Sequence, residues 1–327
     1  MVGIKTKKIK TDETGMRLDR WFKVHYPGLG FGPLQKLLRS GQIRVDGCRV
    51  KTYTRLLTGQ TVRVPPLSIN KEERLSVTDK TIREQDDRII LKKMLLYEDQ
   101  KIFVFNKPAG LAVQGGSGLT RHIDSMLEAW RNKKGEKPRL VHRLDRETSG
   151  VLVVARSRGA AQALTAAFRA RETKKVYWAL VRGIPKKKQN KISTWMVKDI
   201  SAQGDKMRVC EHGEPDASHA VSYYRVLDTR GRAISWLEME PYTGRTHQLR
   251  VHAAHMDHPI IGDSKYFFCD NNWNLPGGIQ NRLHLHARRI RIPHPSGGIL
   301  DVVAPLPPHM VQSFNLLAFN ETDGEAE

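Results

Sequence analysis

The chain has 327 residues, 39% hydrophobic and 7% aromatic, enough for packed cores in about two domains; a wholly disordered protein is excluded. Its 55 Lys and Arg outnumber 34 Asp and Glu, a net charge of +21 that points to a polyanionic partner. The apolar runs, such as residues 151–155, fall far short of the roughly 20 residues that cross a bilayer. The N-terminus lacks the apolar segment of a signal peptide and the arginines of a mitochondrial presequence, so a cytoplasmic protein without a membrane partner is expected. Cys48, Cys210 and Cys269 are too widely spaced for a metal or redox motif and read as reduced and inert.

The charge is uneven. Residues 1–63 hold 14 Lys or Arg against four acids, so about half the excess lies in about a fifth of the chain. Residues 1–13 read as a basic tail. Leu18, Trp21 and Phe22 share one face of a first helix, and a second begins near Pro33, carries Leu34, Leu37 and Leu38, and stops at Gly41. Residues 42–50 read as two alternating strands around Asp46-Gly47, and a further strand follows near residues 61–64. Arg17, Lys36, Arg39 and Arg44 are the candidate phosphate contacts. The segments MRLDRWF, LQKLLRSGQIRVDGCRV and VRV, within residues 14–66, resemble the S4 RNA-binding domain. RNA binding is favoured over a basic scaffold that only packs on the rest of the chain, because basic side chains and the strand-turn pattern coincide in one short unit.

After Pro65 and Pro66, residues 67–90 are rich in Lys, Glu, Asp and Arg and read as a solvated linker. A second domain is expected over residues 91–319, and residues 320–327 read as an acidic disordered tail. A β-prone run at residues 101–106 leads into the turn Lys107-Pro108-Ala109-Gly110, and the glycine-rich residues 114–118 read as a loop. In His142-Arg143-Leu144-Asp145-Arg146-Glu147-Thr148-Ser149-Gly150, Asp145 sits between two arginines just before an apolar strand. That setting suits an ionised carboxylate aimed into a cleft, although the segment taken alone favours a structural ion pair. Residues 160–169 read as an amphipathic helix, and Lys186 to Lys188 as a basic loop.

His247, His252, His255 and His258, with His284 and His286 downstream, suggest zinc. Their spacing is not HExxH, no ligating acid or cysteine accompanies them, and His252 and His255 fit a helix starting at Thr246, so no metal is expected. His284 and His286 read as packing, hydrogen-bonding or RNA-contact residues. Glu238 and Glu240 alternate with apolar residues and read as the solvated face of a strand rather than a glycosidase pair.

HRLDRETSG resembles the HRLDxxTSG motif of the RluA-type pseudouridine synthases. KKVYWALV from Lys174, GRTHQLRVH from Gly244, PIIGD from Pro259 and LHLHA from Leu283 resemble further motifs of that family in the same order, together covering roughly residues 90–305. The resemblance implies an α+β catalytic domain with a mixed, largely antiparallel sheet, preceded by the small S4-like unit. It makes Asp145 the catalytic carboxylate, Tyr177 the aromatic face over the target base and Arg250 the carboxylate's partner. Leu283, His142 and Thr148 belong to the nucleotide site, and Arg143 fills the gap left by the flipped nucleotide. The implied reaction needs no cofactor, and leaves open whether the carboxylate attacks the sugar or assists proton removal. The implied substrate is large-subunit (23S) ribosomal RNA, acted on by a monomer, because S4-bearing relatives usually modify that RNA. A transfer-RNA enzyme of the same family and a non-catalytic ribosome-assembly factor are the alternatives.

Overall fold

The computed structural model describes residues 4–26, 28–67, 77–115, 121–133, 135–199, 206–267 and 276–324. Cys269 and most of the glycine-rich loop at 114–118 lie outside these residues. The chain divides into two units, Met1–Lys80 and Thr81–Glu327.

The first unit packs two helices on a small sheet. Strand β1 (Lys5–Lys8) and helices α1 (Leu18–His25) and α2 (Phe31–Arg39) are followed by β2 (Arg44–Val45) and β3 (Thr61–Val64), in the antiparallel order β1-β3-β2. Its core gathers Leu18, Trp21 and Phe22 from α1, Leu34 and Leu38 from α2, and Val62 and Val64 from β3. Residues 5–8 are thus an edge strand paired with β3, not a tail, because the alternating backbone partners of Thr61–Val64 need a second neighbour. The hairpin at residues 42–50 is shorter than its pattern suggests. Asp46 and Gly47 take the two positive φ angles, 48° and 78°, of a tight turn, yet only the bridge Val45↔Cys48 follows it, and β2 pairs with β3. Beyond Cys48 the backbone is used elsewhere: the carbonyls of Thr52 and Thr54 accept from the N–H groups of Asp19 and Leu18 at the start of α1.

Residues 77–93 form helix α3 (Val77–Lys93) rather than linker. Leu91 and Met94 are buried in a core cluster with Phe103 and Phe105, and this apolar anchor outweighs the segment's high charge. The second unit continues through β4 (Leu95–Glu98), β5 (Ile102–Lys107), α4 (Ile123–Met126), β6 (Arg139–Leu140), β7 (Ser149–Ala155) and α5 (Arg158–Ala170). There follow β8 (Lys174–Arg182), β9 (Gln189–Lys198), β10 (Met207–Cys210), β11 (Ser218–Arg230) and β12 (Ile234–Pro241). Helix α6 (Gln248–His255), β13 (Leu285–Pro293), β14 (Ile299–Val303) and α7 (Pro308–Leu316) complete it.

The sheet runs β10-β9-β11-β12-β8-β13-β7-β5-β4, with β14 beside β13 and β6 beside β7. Its pairings are antiparallel except β13 with β7, which makes it the expected mixed, largely antiparallel sheet of an α+β domain. Strand β7 is apolar at nearly every position because both faces are covered: Leu152 and Val154 pack with α4, while Val151 and Val153 pack with Ala160 and Leu164 of α5. At the short parallel junction, Gly150 (φ 111°) lies against Ala287, and a Cβ there would stand 2.2 Å from the Ala287 carbonyl oxygen. Only glycine admits that approach.

Residues 320–324 of the acidic C-terminus are structured, contrary to the disordered tail read there; residues 325–327 lie outside the described residues. Residues Glu321–Gly324 form a 3-10 turn, Glu321 pairs with Arg288 at 3.1 Å, and a Cβ on Gly324 would lie 2.6 Å from the Trp178 ring. The indole surfaces of Trp178 and Trp236 supply the apolar contact that charge composition hides.

Candidate active site

The loop carrying Asp145 connects β6 to β7 and is tied to the turn after β5. Gly110 N–H donates to the Arg146 carbonyl at 2.9 Å, Arg146 Nε returns a bond to the Gly110 carbonyl at 3.1 Å, and Thr148 N–H donates to the Asp145 carbonyl at 3.2 Å. Beneath the loop, Lys107 is fully buried, and its Nζ donates to the carbonyls of Pro108, Leu111 and Arg146 at 2.9, 2.8 and 3.0 Å. Burial pulls the Lys107 pKa down to about 7, against the pull of Glu147 and Asp145 in the other direction. The KPAG turn therefore serves as the floor of the Asp145 loop, a role its local pattern does not reveal.

Asp145 opens into a cleft of about 390 Å³, within the ~300–1,000 Å³ range of small-molecule sites. Among the described residues lining the cleft, Asp145 is the only acid, against six Lys or Arg: Arg143, Arg169, Arg171, Lys175, Arg245 and Arg250. Tyr177, on β8, is half-buried and packs against the two core clusters that meet here. Burial pushes its phenol pKa up, with the Asp145 charge adding to the shift, so the hydroxyl stays protonated at neutral pH.

Arg250 differs from the simple carboxylate partner implied by the sequence. Its Nε and Nη2 form a bidentate pair with Asp263 at 2.7 and 2.6 Å, whereas Nη1 stands 3.9 Å from Asp145 Oδ2. Asp263 also accepts from the backbone N–H groups of Lys265 and Tyr266, at 2.9 and 3.2 Å. The guanidinium is thus locked from behind and presents one edge to Asp145. Asp263 was visible in the sequence only as the end of PIIGD.

Leu283 does not line the cleft: it is 5% exposed within a core cluster, and the leucine two residues later, Leu285, reaches the cavity. His142 and Thr148 do line it. His142 Nε2 accepts from Val153 N–H at 2.8 Å and its ring packs, tilted, 4.8 Å from that of Phe168, while burial lowers its pKa to about 3, so the neutral ring helps shape the wall. Arg143 is exposed at the rim. Arg169 and Arg171, at the end of α5, were missed because neither falls in a motif; folding brings that helix end to the cleft.

The histidines have partners other than a metal. His252 bonds Thr194 and Ser222, His284 bonds Ser313, and His286 bonds Ser149 and the Ala304 carbonyl. Helix α6 starts at Gln248 rather than Thr246, since the Gln248 side chain accepts from Arg245 N–H and Thr243 Oγ1 and holds the preceding turn in place. Glu238 and Glu240 pair with Arg225 and Lys174 at 3.1 and 3.3 Å. In the first unit Lys36 and Arg39 project from α2 into solvent, whereas Arg17 is paired with Asp19 and Arg44 donates to the carbonyls of Gly41 and Gly47.

Residues 101–255 match the family profile described as RNA pseudouridylate synthase. The chain is 36% identical to ribosomal large subunit pseudouridine synthase C of Yersinia pestis over 91% of each chain. It is 34% identical to the protein of that name from Escherichia coli K12, covering 93% of each. Among solved structures, human RNA pseudouridylate synthase domain containing 4 superposes with a TM-score of 0.61 at 29% identity, covering 73% of this chain and 98% of that one. The chain belongs to the RluA-type pseudouridine synthase family. It is an enzyme that isomerises uridine in RNA to pseudouridine.

Proposed function

We propose that the substrate is large-subunit ribosomal RNA and that Asp145 is the carboxylate that acts on it, in a cytoplasmic monomer. The observation that carries this reading is one acid against six cations among the described residues lining the cleft. The cations suit the phosphates around an extruded nucleotide, and the lone carboxylate marks where the ribose must come. Tyr177 and Leu285 offer the base an aromatic and an apolar surface, and Arg143, exposed at the rim, fills the gap in the RNA stack. The N1–C1′ bond breaks, the base turns and a C5–C1′ bond forms, while the proton on C5 is lost and N1 gains one. The change involves no net oxidation, so protein groups suffice for positioning and proton transfer. The names of the bacterial relatives support the ribosomal substrate.

The first unit serves as a second RNA grip, an S4-like module that presents Lys36 and Arg39 of α2 to solvent. Asp145→Asn tests the catalytic assignment: bound RNA with no pseudouridine is expected, and unchanged isomerisation refutes it. Mass-spectrometric mapping of pseudouridine in ribosomal and transfer RNA, from cells with and without the protein, tests the substrate. Replacing Lys36 and Arg39 together with Ala should weaken RNA binding and reduce the slope of log K against log salt by about 1.5. An unchanged slope removes the first unit from the RNA interface.

A further inference from the structure

Arg250 is not the sole donor facing Asp145. His247 Nε2 stands 3.9 Å from Asp145 Oδ2, the same oxygen and the same distance as Arg250 Nη1. His247 is 8% exposed and occupies the position before α6 with φ 55°. A left-handed conformation at a non-glycine residue persists only where the surroundings enforce it. Here the turn places the ring between the cleft and Tyr266.

The far side of the ring decides where its proton resides. Tyr266 Oη accepts from the Met207 backbone N–H at 2.8 Å and lies 2.8 Å from His247 Nδ1. Tyr266 is 5% exposed, and among the described residues its hydroxyl has no other acceptor at hydrogen-bond distance. Its hydrogen is therefore directed to Nδ1, and burial, which pushes the phenol pKa up to about 12, keeps that hydrogen in place. With Nδ1 accepting, a neutral imidazole carries its proton on Nε2. Burial favours the neutral ring, as do the charges of Arg250 and Lys265, against the opposing pull of Asp145 and Asp263. The same tyrosine ring lies 5.2 Å from the Arg250 guanidinium, so both donors facing Asp145 are braced by one residue.

We propose that His247, fixed in its Nε2–H form by the Met207–Tyr266 relay, is a positioning residue that donates to Asp145 Oδ2 when the nucleotide fills the cleft. With Arg250 and His247 both on Oδ2, the carboxylate plane is set and Oδ1 is left to meet the ribose. The gap must close by about 1 Å to reach hydrogen-bond length, a tightening normal between empty and filled sites. The inference rests on Asp145 as the reacting carboxylate.

Two measurements on the full-length protein test it. Long-range proton–nitrogen correlation on uniformly ¹⁵N-labelled protein at neutral pH reads the tautomer directly: a protonated Nε2 is expected, and a protonated Nδ1 overturns the relay. Single-turnover isomerisation on a uridine-containing RNA stem-loop then reads the function. His247→Phe should slow the step roughly 10- to 100-fold, the worth of a hydrogen bond to a charged group, with RNA affinity unchanged. His247→Gln, whose side-chain amide brings an N–H to about the Nε2 position, should recover most of that loss. Equal rates for the Phe and Gln variants, or a Phe variant as fast as the parent, refute the positioning role. Asp145→Asn separates the two failures: if it abolishes turnover while the His247 variants change nothing, only this inference falls; if it leaves turnover intact, the Asp145 assignment falls first.

Discussion

Replacing Asp263 with Asn removes a negative charge from a place where it cannot be replaced by solvent. Asp263 is fully buried and its partner Arg250 is 4% exposed, joined by bonds of 2.6 and 2.7 Å. Asn can still accept from the N–H groups of Lys265 and Tyr266 through one oxygen, but its amide then confronts Arg250 Nε donor to donor. A buried guanidinium without a carboxylate costs about 3–5 kcal/mol. With a urea slope of ~3 kcal/mol per molar, the unfolding midpoint of the second unit should fall by roughly 1–1.7 M. Tryptophan fluorescence reports it, because Trp178 and Trp236 are buried in this unit. Isomerisation should fall as well, since Arg250 is released from the lock that aims Nη1 at Asp145. A midpoint shift below 0.3 M (~1 kcal/mol on the same slope), together with unchanged turnover, would falsify Asp263 as the anchor of the site.

Three further outcomes follow from particular contacts. Gly150→Ala forces a Cβ to within 2.2 Å of the Ala287 carbonyl oxygen at φ 111°, so the β7–β13 junction must open; a loss above ~3 kcal/mol, or roughly 6–12 °C in Tm, is expected, and a change under about 2 °C contradicts the close packing. Lys107→Met takes the shared ammonium donor from the carbonyls of Pro108, Leu111 and Arg146, of which the last keeps its bond from Gly110 N–H; about 1–3 kcal/mol of stability and much of the turnover should go, and normal turnover would show that the loop needs no such floor. Acid should weaken the second unit already between pH 7 and pH 5: burial lowers His252 and His284 to about 4 and His286 to about 3, while the unfolded chain takes up these protons near 6.5. Between those values the unfolded state binds more protons, so stability is full above pH ~6.5 and falls by up to ~2 kcal/mol per histidine by pH 5. Denaturant midpoints that stay level from pH 7 to pH 5 would contradict buried, neutral histidines.

Helices α1 and α2 were legible because their leucines and aromatics recur at helical spacing, and β7 because residues 151–155 form one apolar run. Helix α3 was not, since its charged surface looks like linker until its C-terminal end is seen buried against β5. The second hairpin strand at Cys48 was overread for the opposite reason: the local pattern was right, but α1 takes the backbone partners that strand would need. Leu283 and Leu285 alternate in one short motif, and sequence alone does not say which of them faces the cavity.

The sequence by itself determined the chemistry available: an excess of cations, one acid set among arginines, a tyrosine on a strand, and the ordered motifs that place the chain in its family. Only the tertiary structure decided which groups answer that acid. Arg250 is held by Asp263 and His247 by Tyr266, partners 13 and 19 residues away in the chain. Local sequence carries no term for such contacts, because they arise where α6 and the chain following it fold back together, and burial there turns ordinary polar residues into fixed donors.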